Sequence, residues 1–147
     1  MWAVAQVDLE RLRKVSVFSA LAPEELERLT DAAEVTEHPE GDYLTQEGVL
    51  GHRFHLILEG GAEVDRGGSE VADIGPGDFV GEIGLLGGGP STASVRCTMP
   101  TRCLTLRRVD FWRVLEQEPS IALRILEVVA RRFEKELHPG AQRWGDG

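Results

Sequence analysis

The sequence predicts an α+β domain, mainly β, in which a strand-rich middle is flanked by helices at both ends. Fourteen of the 17 glycines lie between residues 40 and 95, where short apolar runs alternate with turn signals. On either side of that region the apolar residues recur at helical spacing instead. With 147 residues, 41% hydrophobic and 28% charged, the chain has the size and balance of one soluble globular domain with a real core. No linker or internal repeat divides it, so residues 1–147 read as a single domain. Its roll spans about 38–108, its helices about 8–35 and 109–138, and its tail, 139–147, is frayed.

The first helical stretch, "VDLERLRKVSVFSAL", sets Leu9, Leu12, Val15 and Phe18 on one side. In "LAPEELERLTDAAEV", Pro23 suits the first turn, and Glu24 and Glu25 favour the positive end of the helix dipole. Ala22 is a poor N-cap. In the middle, "FHLILEG" alternates, with Phe54, Leu56 and Leu58 on one face and His55 and Ile57 on the other. Arg66-Gly67-Gly68-Ser69 fits a tight hairpin turn, because two glycines accept positive φ. "STASVRCTM" and "TRCLTLRR" read as two further strands, and strands at this spacing suit a sandwich, barrel or jelly roll. The end is helical again: "VDFWRVLEQEP" stops before Pro119. "PSIALRILEVVARRFEKEL" then carries an apolar stripe of Ile121, Ile125, Val128, Val129 and Phe133.

Several function classes are disfavoured. Net charge is −9; residues 40–95 hold ten acidic groups against two basic ones, Arg53 and Arg66. Sequence-independent nucleic-acid binding needs several cations on one face. No apolar run approaches the roughly 20 residues of a membrane span, and the first residues lack the pattern of a secretory signal. The expected location is the cytoplasm. Cys97 and Cys103, six apart, match no zinc or redox motif. If their segment is a hairpin around Met99 and Pro100, they lie near each other across the strands; two buried thiols are the simpler reading.

The stretch "GDFVGEIGLLGGGPSTASV" holds many glycines and two carboxylates, Asp78 and Glu82, yet no positive charge. Together with "VFSALAPEELERL", "PEGDYLTQEGVLGHRFHLILEGGAEV" and "LTLRRVDFWRVLEQEP", it makes residues 12–137 resemble the cyclic nucleotide-binding domain family. That family is shared by the bacterial catabolite activator, the regulatory subunits of cyclic AMP-dependent protein kinase and cyclic nucleotide-gated channels. The resemblance implies a double-stranded β-helix (jelly roll) with N-terminal helices, a short cassette helix and C-terminal helices. It also implies a site in the cassette. Glu82 would accept a hydrogen bond from a ribose hydroxyl. Main-chain donors of Gly81, Glu82, Ile83 and Gly84, with Thr92 and Ala93, would face a cyclic phosphate.

Ser91 stands where nucleotide-binding members of the family carry an arginine on that phosphate. Loss of such a charge-assisted contact costs about 2–5 kcal/mol. Arg96, Arg53 and Arg102 are candidate replacements, although alternation turns Arg96 away from inward-facing Ala93 and Val95. The expectation is therefore a stand-alone, non-catalytic regulatory module with no cofactor and weakened binding of its ligand, cAMP or cGMP. A partner protein would read its state, without DNA (no helix-turn-helix) and without a membrane; a homodimer stays open. One alternative is a degenerate roll that serves as an interaction or assembly domain with no nucleotide. A remoter one is a cupin-like metalloenzyme using His52, His55 and Glu59, whose spacing suits a shared ion poorly. Arg131 and Arg132 are read as solvated or ion-paired.

Overall fold

Alternating apolar residues along the glycine-rich middle build two antiparallel sheets. The computed structural model describes residues 22–137; the expected helix before residue 22 and the tail at 139–147 lie outside them. The strands are β1 (Glu34–His38), β2 (Tyr43–Thr45), β3 (Arg53–Glu59), β4 (Ala62–Arg66), β5 (Ser69–Ile74), β6 (Phe79–Val80), β7 (Ser94–Cys97) and β8 (Thr101–Arg107). They order as β1-β8-β3-β6 and β2-β7-β4-β5, giving the expected jelly roll. Helix α1 (Pro23–Ala32) precedes it, α2 (Glu82–Gly87) interrupts it, and α3 (Arg108–Gln117) and α4 (Pro119–Leu137) follow. None of these helices is long and apolar enough to cross a membrane.

Two cores hold the layers. Inside the roll, Leu44, Ile57, Ala62, Val80, Val95, Cys97 and Cys103 meet from both sheets. Outside it, Phe54, Leu56, Leu104 and Leu106 pack against Leu26, Leu29, Phe111, Ile121 and Ile125 of the helices. Strand β3 feeds both cores, which explains why its apolar run is nearly continuous. The Phe54 ring stacks on Phe111 with centroids 4.9 Å apart, fixing α3 on the sheet.

Local rules account for the joints. Ala22 offers no side-chain cap to α1; instead Glu25 accepts its main-chain N–H at 3.0 Å, with Pro23 opening the helix. The Arg66–Ser69 turn closes the β4–β5 hairpin with positive φ at Gly67 (61°) and Gly68 (82°).

Three expectations need correction. The first helix ends at Ala32, not near 35: Val35 is buried opposite Leu104, so the stretch "EVTEH" obeys a period of two within β1. The conditional hairpin pairing of Cys97 and Cys103 does not occur, because β7 and β8 belong to different sheets; the simpler reading holds, with both thiols free and buried in the roll's interior. Phe133 is 59% exposed and is not part of the α4 stripe. At 100° per residue it lies 120° around the helix from Ile121, whereas position 132 lies only 20° away.

The inner face of β1, β8 and β3 is polar at one end. The His38 Nδ1–H donates to Asp42 Oδ2 (2.6 Å), and Thr36 Oγ1 bonds both His38 Nε2 and Thr105 Oγ1 (2.8 Å each). Thr105 Oγ1 in turn bonds His55 Nδ1 at 3.0 Å. Burial, aided by the nearby His38 and Arg53, pushes the His55 imidazole down to about 3, so it is neutral in the fold. Between about pH 6.5 and 3 the unfolded chain then holds a proton here that the native state does not, and stability falls as pH falls through that window. In chelator-containing buffer, urea unfolding should show wild type losing about 2 kcal/mol more than His55→Gln between pH 7 and pH 5. Equal losses would show that this histidine is not the group responsible.

Candidate functional site

The cassette begins at a glycine that no other residue can replace. Gly81 has φ +95°, and a Cβ there would lie 2.3 Å from the carbonyl oxygen of Arg53. That close approach of the chain to β3, beside the β3–β6 pairing of His55 with Val80, aims the next residue inward. Glu82 opens α2 and is only 2% exposed. One carboxylate oxygen, Oε1, accepts from Arg132 Nη1 of α4 at 2.8 Å; the other, Oε2, is buried with no hydrogen-bond partner. Burial pushes the carboxyl above the usual range, and the Arg132 charge and Glu82's own main-chain N–H pull it back only in part.

Arg132 does more than pair. Its Nη2 donates to the Phe79 carbonyl at 2.8 Å, and its guanidinium carbon lies 4.8 Å from the centre of the Phe79 ring. One side chain thus ties the terminal helix to β6 and to α2. At the far end of α2, Trp112 Nε1 donates to the Leu85 carbonyl at 3.3 Å, linking α3 to the same helix.

The other predicted residues gather around α2. Gly84 is buried, and a Cβ on it would lie 3.9 Å from Ser91 Oγ, so position 91 stands against the cassette helix. Ser91 is 9% exposed; its N–H donates to Val49 O and its carbonyl accepts from Gly48 N–H, each at 2.9 Å. The Thr92 and Ala93 carbonyls accept from Arg66 Nε (3.1 Å) and Thr45 Oγ1 (2.9 Å). Ile83 contributes main chain to α2 while its side chain is 40% exposed.

The candidate replacement cations are engaged elsewhere. Arg53 pairs with Glu34 (2.8 Å), Arg96 with Glu63 (3.3 Å), and Arg102 with Glu59 (3.4 Å). The cation on the site is Arg132: it is ion-paired, as expected, and its partner is the site's own acid, Glu82. A signal was present: Ile121, Ile125, Val128 and Arg132 fall at i, i+4, i+7 and i+11, which puts an arginine in the middle of the inward stripe. His52, His55 and Glu59 do not converge. His52 lines an open groove of about 740 Å³ beside Arg108 and Trp112, while His55 points into the roll.

A family model described as the cyclic nucleotide-binding domain matches residues 35–118, more than half of the chain. The chain belongs to that family. It is 32% identical over 128 residues to a cAMP-dependent protein kinase regulatory subunit of Hypocrea atroviridis, covering 87% of this chain and 28% of that protein. The chain therefore spans just over a quarter of that relative. Among solved structures it is similar to the Thermus thermophilus catabolite activator protein, at 30% identity and TM-score 0.74 over 82% of this chain and 59% of that one. It is also similar to the N-terminal domain of a transcriptional regulator from Streptomyces coelicolor A3(2), at 29% identity and TM-score 0.67 over 93% and 99%.

Within this cyclic nucleotide-binding-type roll, four substitutions probe the cassette's construction and its ion pair. Gly81→Ala should cost about 3 kcal/mol or more in urea unfolding, through strain at positive φ and the clash with Arg53. Gly87→Ala, which meets nothing within 4 Å, should stay within about 0.5 kcal/mol of wild type. Arg132→Ala should cost about 2 kcal/mol, less than the 3–5 of a fully buried pair because Arg132 is itself a third exposed. Adding Glu82→Gln should recover part of that loss, since no uncompensated buried charge would remain; additive losses would disprove the coupling.

Proposed function

We propose that the chain is a non-catalytic regulatory sensor module of the cyclic nucleotide-binding type, with weakened affinity for cAMP or cGMP. The observation that carries this reading is the carboxylate of Glu82: buried, half-neutralised by Arg132, and keeping one oxygen without a donor. A buried acceptor left open is costly, and a ligand hydroxyl would satisfy it. The glycine-flanked start of α2, with the N–H groups of Thr92 and Ala93, would receive the phosphate. Ser91 can give that phosphate one hydrogen bond but cannot cancel its charge.

Signal output follows from the same contact. A hydroxyl on Oε2 changes how strongly Glu82 holds Arg132, and so how firmly α4 stays docked on β6 and α2. Two packings of α4 would then differ in the surface offered to a partner protein. The relatives named above carry such domains within longer proteins, which supports a role in controlling an attached or associated one.

A second reading, an assembly domain with no nucleotide, is favoured by Ser91 and by the acidity of residues 40–95. Calorimetric titration with cAMP and cGMP decides between them. Heat of binding that saturates in the micromolar-to-millimolar range supports the sensor; no heat at millimolar nucleotide supports the assembly domain. Ser91→Arg should tighten cyclic nucleotide binding at least tenfold, because the seat regains its counter-charge. Gly51 and Gly84 stand beside Ser91 Oγ without side chains of their own: a Cβ on them would lie 3.2 and 3.9 Å from it. An unchanged dissociation constant would count against the seat.

A further inference from the structure

The polar end of the roll's interior brings together three residues that share no segment of sequence: His38 from β1, His55 from β3 and Cys103 from β8. One ligand atom from each lies within 4.8 Å of the other two. From this convergence we infer a binding site for a single zinc-class divalent ion, held by His38, His55 and Cys103, with the fourth position left to water. The inference does not rest on the nucleotide reading, because the cluster lies inside the roll and α2 lies outside it.

The register explains the convergence. Strand β8 lies between β1 and β3, with Thr36 opposite Cys103 and Thr105 opposite His55. Alternate residues of three adjacent strands therefore face one interior point. Two imidazoles and a thiolate are the donor set of a borderline metal, and three protein ligands with one open position are a common zinc arrangement. The ring geometry is close to what an ion needs. Two histidines on one tetrahedral zinc have centroids about 5 Å apart; those of His38 and His55 are 5.6 Å apart, with planes at 88°.

The surrounding contacts are those that orient metal ligands. The Nδ1–H of His38 donates to the Asp42 carboxylate, which fixes its tautomer and leaves Nε2 as the ligand atom. That nitrogen would give up Thr36, whose hydroxyl keeps Thr105 as a partner. His55 is held neutral by burial, as a ligand must be. Burial pushes the Cys103 thiol up to about 12, so binding has to expel its proton: the ion forms a metal–sulfur bond, and one H⁺ leaves for solvent. Entry is from the β1–β2 corner, where Asp42 is 43% exposed and His38 15%.

Cobalt(II) tests this directly, since its spectrum reports both geometry and ligands. Chelator-treated protein titrated with Co²⁺ should develop visible tetrahedral bands and a near-ultraviolet sulfur-to-cobalt charge-transfer band, saturating at one ion per chain. Zinc should displace the cobalt and raise Tm by roughly 5–10 °C when present a hundredfold above its Kd. Cys103→Ser should abolish the charge-transfer band, while Cys97→Ser, the other buried thiol, should keep it. Should Cys103→Ser not fold, His38→Ala, at the rim of the cluster, should lower cobalt affinity at least tenfold. The site is disproved by an absent charge-transfer band in wild type, by its survival in Cys103→Ser, or by unchanged affinity in His38→Ala.

Discussion

A carboxylate taken out of water must find its charge and hydrogen bonds inside the protein, and in this fold that requirement binds three elements together. Glu82 sits at the first turn of the cassette helix, yet the group that neutralises it comes from the last helix, fifty residues on. The pair cannot form unless α4 lies across β6, and α4 can lie there because Ile121 and Ile125 are buried in the outer core. Apolar packing brings the helix in, and the ion pair fixes its register. Because burial outweighs the pairing in setting the Glu82 carboxyl, the pair is poised rather than fully satisfied. A contact of that kind responds to a small change in hydrogen bonding, which a fully compensated one would not.

The same contact depends on backbone geometry upstream. A side chain at position 81 would collide with the Arg53 carbonyl, so only glycine lets the chain pass β3 closely enough to bury the next residue. Strand β3 is in turn sandwiched between the two cores, one formed with the opposite sheet and one with the helices. The site is thus built against the strand that both cores enclose, while its partner arginine sits on a helix whose outward residues, Leu123, Leu126 and Phe133, are exposed. In the proposed reading, an acceptor seated against the sheet and a donor carried by α4 make a suitable pair for a switch.

How much of this was legible in the sequence depends on the range over which each signal acts. Turns and helix limits are set by neighbours: Gly67-Gly68 announces its hairpin, and Pro119 separates α3 from α4. The cassette was legible only through the family resemblance, because glycines and an acid by themselves fit a tight turn as well as an anion seat. Contacts across the fold were not, because periodicity gives the face of a residue but not what that face meets. Arg132 illustrates the limit. Its position in the inward stripe could be read from spacing, but its partner depended on where α4 docks. The two cysteines show the same limit, since assigning β7 and β8 to one hairpin required knowledge of which sheet each joins.

In the proposed reading, charge placement explains how an acidic protein would still offer an anion a seat. The arginines near the cassette in sequence, Arg53, Arg96 and Arg102, each neutralise a glutamate on the roll. All three lie on inner strands of their sheets, and each is directed to its glutamate. Arg132 faces the opposite constraint: its acid partner is buried and retains an open oxygen, so the pair stays close to neutral without being closed. A ligand that brings both a hydroxyl and a negative charge meets these groups in two ways. Its hydroxyl relieves the unsatisfied oxygen, and its charge is drawn to the one guanidinium that, among the described residues, touches Glu82. In the proposed reading, affinity is limited by how far that guanidinium can serve two anions at once, which makes weak binding and strong coupling to α4 two consequences of one arrangement.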